Sequence, residues 1–311
     1  MRVTASTFPN SLLTQLNRLA VRQSRLQQQA ATGQRMTFPD DDPVAMRRVI
    51  DMQGEASSVS QYLRNIARHK ELANATYASI KSLKTVVDRA SEIATLADDL
   101  KSPEELRVYA TEVNELIKQG AQVVNVQNRG DYLFSGTLLD KKPFVMAEDS
   151  DGNVTSVTYQ GNAALSESEI GHGVALTAQT LGANTTGAGY RGLVTDTRTG
   201  ADIFNHLIAL RDRLSAGDTA AIAAHSPDEL GRDADTILFH IGTNGAVQTR
   251  LETGESIMTK RSQNLEALVS KETDADLAQT LVRLNEVQTA YQAALQSGGS
   301  ILNRSLLDFI R

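Results

Sequence analysis

The chain of 311 residues has no cysteine and no tryptophan, only six prolines, and aromatic residues at 5%. Without cysteine there can be no disulfide, no thiol nucleophile and no thiolate metal site. Lysine and arginine form no dense block and the net charge is −6, which argues against the basic face that a nucleic-acid partner needs. No apolar run approaches the length of a membrane span. The opening MRVTASTFPN lacks a basic segment followed by an apolar core and a small-residue cleavage site, so no cleaved secretory signal is expected.

Catalytic patterns are equally sparse. His69, His172, His206, His225 and His240 show no metal-ligand spacing and read as structural or solvent-exposed. There is no GxSxG, no HExxH, no phosphate-cradling loop followed by lysine and no dinucleotide fingerprint. Asp149, Asp151 and Asn153 imitate the opening of a calcium loop, but Gly152 is misplaced and the closing glutamate is missing. A hairpin turn accounts for them. No enzyme activity, cofactor or metal is expected.

What the chain has is helical periodicity. Leu12, Leu16, Leu19, Leu26 and Ala30 follow alternating four- and three-residue steps, interrupted by Gln23. At the other end two seven-residue series run side by side: Leu277, Leu284 and Tyr291, and Leu281, Gln288, Leu295, Leu302 and Phe309. Both ends therefore read as amphipathic helices with coiled-coil spacing. Leu306 and Phe309 crowd the final segment SILNRSLLDFIR, a greasy stretch that something must cover. The glycines of Ser297–Gly299 mark a weak point in the last helix.

Between the ends, Val59, Ile66, Ala73, Ile80, Val87 and Ala94 recur every seventh residue and predict one helix from about Pro43 to Leu100. KSPEEL restarts the chain, with Ser102 and Glu105 as a capping box and Pro103 in the first turn. The helix that follows is expected to reach about Asn128, through Leu106, Tyr109, Val113, Leu116, Gly120 and Val123. A short helix is expected at 203–214, then a long one carrying Val247, Leu251, Met258, Leu265 and Leu268. From Gly130 to about Thr199 the helical period vanishes. FVMAEDSDGNVTSVTYQG reads as two strands joined at Asp151-Gly152, and GANTTGAGYRG as loop or short strand.

The expected fold is mainly α: a terminal antiparallel coiled coil, a long-helix bundle and a small β-rich insertion. Three domains are expected: 1–42 with 270–311, 43–130 with 200–269, and 131–199. Leu12, Leu16, Leu19 and Leu26 should pack against Leu281, Leu284, Tyr291, Leu295, Leu302, Leu306 and Phe309, within and between copies. Ordering some eighty terminal residues costs about 1–2 kcal/mol each, against roughly 1.5–3 kcal/mol per large apolar side chain buried. That balance points to cover supplied by other subunits.

PDDDPVAMRR, 39–48, has two compatible readings. Asp42 before Pro43 is a helix start, with Asp40 and Asp41 adding negative charge at the positive end of the helix dipole. Alternatively Asp41, Asp42, Pro43 and Arg47 form a recognition hinge that pairs with a neighbouring subunit.

At this point the sequence resembles a known family. ATGQRMTFPDDDPVA is similar to the segment after the first helix of the bacterial flagellin superfamily, in its hook–filament junction branch. YLFSGTLLDKKPF, VTYQGN, DADLAQTLVRLNEVQTAYQAAL and SLLDFI resemble further family segments in the right order. Pro43 after Asp41-Asp42, and the ending Leu307-Asp308-Phe309-Ile310, separate it from filament flagellins. HSPDELG, 225–231, departs from the family helix there and suggests looser structure. The resemblance implies a flagellin-like structural adaptor, exported unfolded through the flagellar type III pathway with the help of a chaperone. It implies assembly outside the cell as a ring of copies. A hook-associated protein would lie on the hook side and flagellin or another junction protein on the filament side. A short filament-forming flagellin and a cytoplasmic helical scaffold are the rival readings.

Overall fold

The computed structural model describes the backbone of residues 7–310 except 37 and 39, and the side chains of 10–300 with the same two exceptions. The side chains of Leu302, Leu306 and Phe309 thus lie outside the described residues. Six helices frame the described chain: α1 (Thr7–Thr32), α2 (Pro43–Leu96), α3 (Pro103–Val124), α4 (Ile203–Ala216), α5 (Thr219–Thr273) and α6 (Leu277–Ile310). Nine short strands lie between α3 and α4. The chain divides into two compact units, one of residues up to 58 with those from 260 onward, the other of 59–259. Among the described residues no helix is long and apolar enough to cross a membrane.

In the unit of 59–259 the seven-residue series of α2 is buried throughout: Val59, Ile66, Ala73, Ile80, Val87 and Ala94. From Ile80 onward Leu83, Val86, Ala90 and Ile93 widen that stripe, and it packs with Val113, Ile117 and Val124 of α3, Phe204, Leu207 and Leu210 of α4, and Ile222, Leu230 and Ile237 of α5. Ile66 and Ala73 pack instead with Ile170, Leu176, Ala178 and Leu251. Each large side chain removed from water here contributes roughly 1.5–3 kcal/mol. The capping box of α3 forms as the sequence implies: the Glu105 amide donates to Ser102 Oγ and the Ser102 amide to Glu105 Oε2.

Two helices stop early. α2 ends at Leu96 rather than Leu100 because Asp98 turns the chain, its Oδ1 accepting from the Leu100 amide at 3.1 Å. α3 ends at Val124 rather than near Asn128. Asn125 leaves the helix to hold residue 144, donating to the Phe144 carbonyl and accepting from its amide. Conversely HSPDELG is not loose: α5 runs through it with Pro227 inside the helix. Ile222 and Leu230 are buried on either side, and Arg213 holds Glu229 at 2.7 Å. These anchors offset the hydrogen bond that proline cannot donate.

The insertion opens with a tight hairpin of β1 (Gln127–Asn128) and β2 (Asp131–Tyr132). Arg129 and Gly130 turn it with positive φ at both positions, the geometry that matches strand twist. β3 (Phe144–Glu148) and β4 (Val154–Tyr159) form the expected antiparallel pair, with Phe144 opposite Tyr159. The Asp149 carboxylate accepts from the amides of Asn153 and Asp151 across the turn. Those bonds, the one from Asn153 foremost, hold its carboxyl below the usual range. β5 (Ser168–Gly171) and β6 (Val174–Leu176) make another hairpin. β7 (Leu181–Asn184), β8 (Gly192–Asp196) and β9 (Ala201–Asp202) form a mixed sheet in which β7 and β8 are parallel. Buried Asn184 organises the short connection between them, donating to the carbonyls of Ala188 and Tyr190 at 2.6 Å each.

Candidate assembly interface and hinge

The unit of residues up to 58 and from 260 onward is built on α1 and α6. Two anchors set their direction. The Ala275 amide donates to the Gly33 carbonyl at 2.8 Å. At the far end Leu12 lies so close to Gly298 that a Cβ there would come 2.5 Å from Leu12 Cδ2. The helices are therefore antiparallel, with Leu19 and Leu26 of α1 running against the stretch of α6 that carries Tyr291 and Leu284. The segment Ser297–Gly299, expected as a weak point, stays helical; Gly298 is where the helices come together.

On α1, Leu26 is buried and Leu12, Leu16, Leu19 and Gln23 are half-buried. On α6, Thr280 and Val287 are buried, and Leu284, Gln288, Tyr291 and Ala294 half-buried. The covered positions of α6 draw on both apolar series. Leu284 and Tyr291 of one and Gln288 of the other face the pair, whereas Leu277 of the first and Leu281 and Leu295 of the second are 48%, 51% and 48% exposed. Val282 is exposed with them, as are Leu13 and Val21 on α1. One helix covers a stripe of limited width, and the apolar residues of α6 spread wider than α1 can cover.

The candidate hinge is the chain between α1 and α2. Gly33, at φ 71°, ends α1 with its amide on the Gln29 carbonyl at 2.9 Å. Residues 33–35 then pair with 273–275: the Arg35 amide donates to the Thr273 carbonyl at 2.7 Å, and Gln34 bridges Asp274. Asp42 caps α2 as its position before Pro43 implies, Oδ1 accepting from the Ala45 amide at 3.0 Å. Asp276 does the same for α6, accepting from the Gln279 amide at 3.0 Å.

Asp41 turns back toward α1. Its carboxylate lies 3.0 Å from Arg25 and accepts from the Phe38 amide. Arg47 is exposed and makes no ion pair among the described residues. Its neighbour Arg48 meets Glu272 at 3.1 Å. Arg35 spans the hinge, with Nη2 on the Glu272 carbonyl at 2.9 Å and Nη1 3.7 Å from Asp42. Beneath these charges Met36, Ala45 and Val49 are buried against Met52 and Val269. Such exposed pairs contribute about 0.2–1 kcal/mol each, so the small apolar cluster holds the joint and the charges orient it. Reasoning from sequence did not single out Arg25, Arg35, Met36 or Glu272. Only Gly33 after a helical run carried a local signal.

α1 also borders two open clefts. One, of about 440 Å³, is lined by Val21, Arg25, Arg35, Phe38 and Asp41 among others. The second, of about 770 Å³, is edged by Arg18, Arg22, Arg25 and Arg283. Of the histidines, His69, His206 and His240 are turned inward and His172 and His225 are exposed. No cluster of potential metal ligands occurs among the described residues.

Residues 6–138 match the family model of the bacterial flagellin N-terminal helical region. Over 145 residues the chain is 27% identical to flagellar hook-associated protein 3 of Salmonella typhimurium strain LT2, covering 45% of each chain. The match thus spans less than half the length of that relative. Among solved structures, the fold is similar to that of a protein assigned as flagellar hook-associated from Vibrio parahaemolyticus. That likeness has a TM-score of 0.63 and 17% identity, over 75% of this chain and all of the other. It is also similar to hook associated protein-3 of Legionella pneumophila, with a TM-score of 0.59 and 12% identity over 71% of this chain and 97% of the other. The fold is flagellin-like: mainly helical, with a small β-rich insertion.

Proposed function

We propose that this chain, which carries a flagellin-type N-terminal helical region, is a structural adaptor of the bacterial flagellum that joins hook to filament. The observation that carries the reading is the uncovered face of the α1–α6 pair. Leu13, Val21, Leu277, Leu281, Val282 and Leu295 remain exposed after the two helices have packed. Exposed apolar side chains ranged along paired helices mark a surface for other protein. Copies of the same chain in a ring are the first occupants, with a hook-associated protein on one side and flagellin or another junction protein on the other. The similarity to hook-associated protein 3 supports the junction role over that of a short filament subunit. The protein works outside the cell in the flagellum, reaches it through the flagellar export route with a chaperone, and is not an enzyme.

Deletion of the gene tests this, with cells viewed by electron microscopy and flagellin assayed in the medium. Bare hooks with flagellin spilling into the medium are expected. Bare hooks without spilled flagellin would make the chain the filament subunit itself. Normal filaments would overturn the flagellar reading in favour of a cytoplasmic scaffold.

A further inference from the structure

The unit of 59–259 contains a cavity of about 190 Å³ in which polar side chains stand among Leu72, Tyr132, Leu133 and Leu139. Its walls come from α2, the β1–β2 hairpin and the segments flanking β5 and β6. Such a volume is too small for a drug-sized ligand and corresponds to one small solute or about six waters.

The wall is built around a buried histidine. His69 is only 7% exposed, and its Nδ1 is sealed from solvent without a hydrogen-bond partner. Burial first, then the nearby charge of Arg68, holds its pKa below the ordinary 6.5, so the ring is neutral. An unpaired lone pair is less costly than an unpaired N–H in such a place, which puts the proton on Nε2, the accessible nitrogen. His69 therefore offers the cavity a donor.

The charges around it divide cleanly. Arg129 engages Glu71 through Nε and Nη2 together, and that pair is internally neutral. Arg68 and Asp131 are left, one charge of each sign, and neither has an ion-pair partner among the described residues. The hydroxyls of Ser166 and Ser168 add groups able both to donate and to accept. A simple anion would meet Asp131, a simple cation would meet Arg68, and an apolar solute would leave all of these groups unpaired, which leaves a neutral polyol or a zwitterion. The serine hydroxyls and the neutral His69 favour the polyol, and glycine tests the zwitterion. We propose that this cavity binds a small, uncharged, hydroxyl-rich molecule, a single sugar unit, through Arg68, His69 and Asp131.

Saturation-transfer NMR on the full chain tests it, with glucose and galactose as probes and acetate and glycine as charge controls. Saturation of at least one sugar at millimolar concentration is expected. Arg68→Met and Asp131→Asn should each weaken that binding by about tenfold, the equivalent of one good hydrogen bond at 1.4 kcal/mol. Arg68 is exposed and Asp131 half-buried, so both variants should fold, as circular dichroism will record. Saturation of acetate or glycine alone would overturn the proposal in favour of a charged ligand. No saturation of any probe, or sugar binding unchanged in both variants, would overturn it in favour of a solvent-filled recess.

Discussion

Arg35 Nη2 lies 2.9 Å from the backbone carbonyl of Glu272, 237 residues away in sequence. That carbonyl belongs to the last turn of α5, where helix geometry leaves carbonyls without partners inside the helix. Arg35 satisfies it and meets the negative end of the helix dipole. Arg35→Met should cost about 1 kcal/mol in the unit containing it, since the guanidinium remains partly exposed. Urea unfolding of the purified chain measures this. A loss above about 3 kcal/mol would mean the hinge rests on the arginine rather than on Met36, Ala45 and Val49.

Leu281 and Leu284 lie on adjacent series of one helix but differ in environment. Leu281 is 51% exposed, whereas Leu284 is half-buried toward α1. Leu281→Asp should change monomer stability by no more than about 0.5 kcal/mol, and abolish incorporation into the polymer. Leu284→Asp should lower monomer stability by about 2 kcal/mol or more, because a charge enters the packed face. Thermal melting with an in vitro assembly assay separates the two. If Leu281→Asp assembles normally, the exposed face is not the contact between copies.

The difference between those two leucines also marks where the sequence stops being informative. The pattern of α2 was legible because Val59, Ile66, Ala73, Ile80, Val87 and Ala94 are all covered, so spacing and burial carry the same message. Along α6 the same spacing holds for covered and uncovered residues, as Leu284 and Leu281 show, and only the width of α1 decides between them. Asp42 and Ser102 could be read as caps because a cap is a local event, complete within four residues. The contact of Arg35 with residue 272 has no local signature. Nor does the parallel pairing of β7 with β8, which Asn184 secures across a connection shorter than such a pairing usually needs. HSPDELG, read as loose because it departs from the family helix, stays helical for a related reason: tertiary packing holds the helix on both sides of Pro227.

His206 Nδ1 is 2.8 Å from Asp233 Oδ2, in the wall between α4 and α5. Burial works to lower the histidine pKa, but the hydrogen bond and charge of Asp233 outweigh it and the net shift is upward. A raised value means the folded state holds the proton more tightly than the unfolded chain. Its contribution to stability is complete below pH 6.5 and is lost as pH rises through the native value. Burial also raises Asp233, which gives the same sign. Stability should therefore fall from pH 6 to pH 8, and His206→Gln should flatten that slope. Urea midpoints across this range measure it; a slope unchanged in His206→Gln would assign the dependence elsewhere.

Gly298 and Gly299 are neighbours in one helix and should respond differently to the same substitution. A glycine in a helix interior is about 1 kcal/mol less favourable than alanine. At Gly299 nothing lies within 4 Å of a new Cβ, so Gly299→Ala should stabilise the pair by about that amount. At Gly298 the new Cβ would come 2.5 Å from Leu12 Cδ2, and Leu12 must leave its rotamer at a cost of about 0.5–1.5 kcal/mol. The two terms are similar in size, so Gly298→Ala should be nearly neutral. In a Leu12→Ala background the obstruction is gone, and Gly298→Ala should then stabilise by about 1 kcal/mol. A double-mutant cycle read by urea unfolding reports that coupling directly. Additive effects would mean that Leu12 and Gly298 do not touch in solution, and the register drawn between α1 and α6 would have to shift.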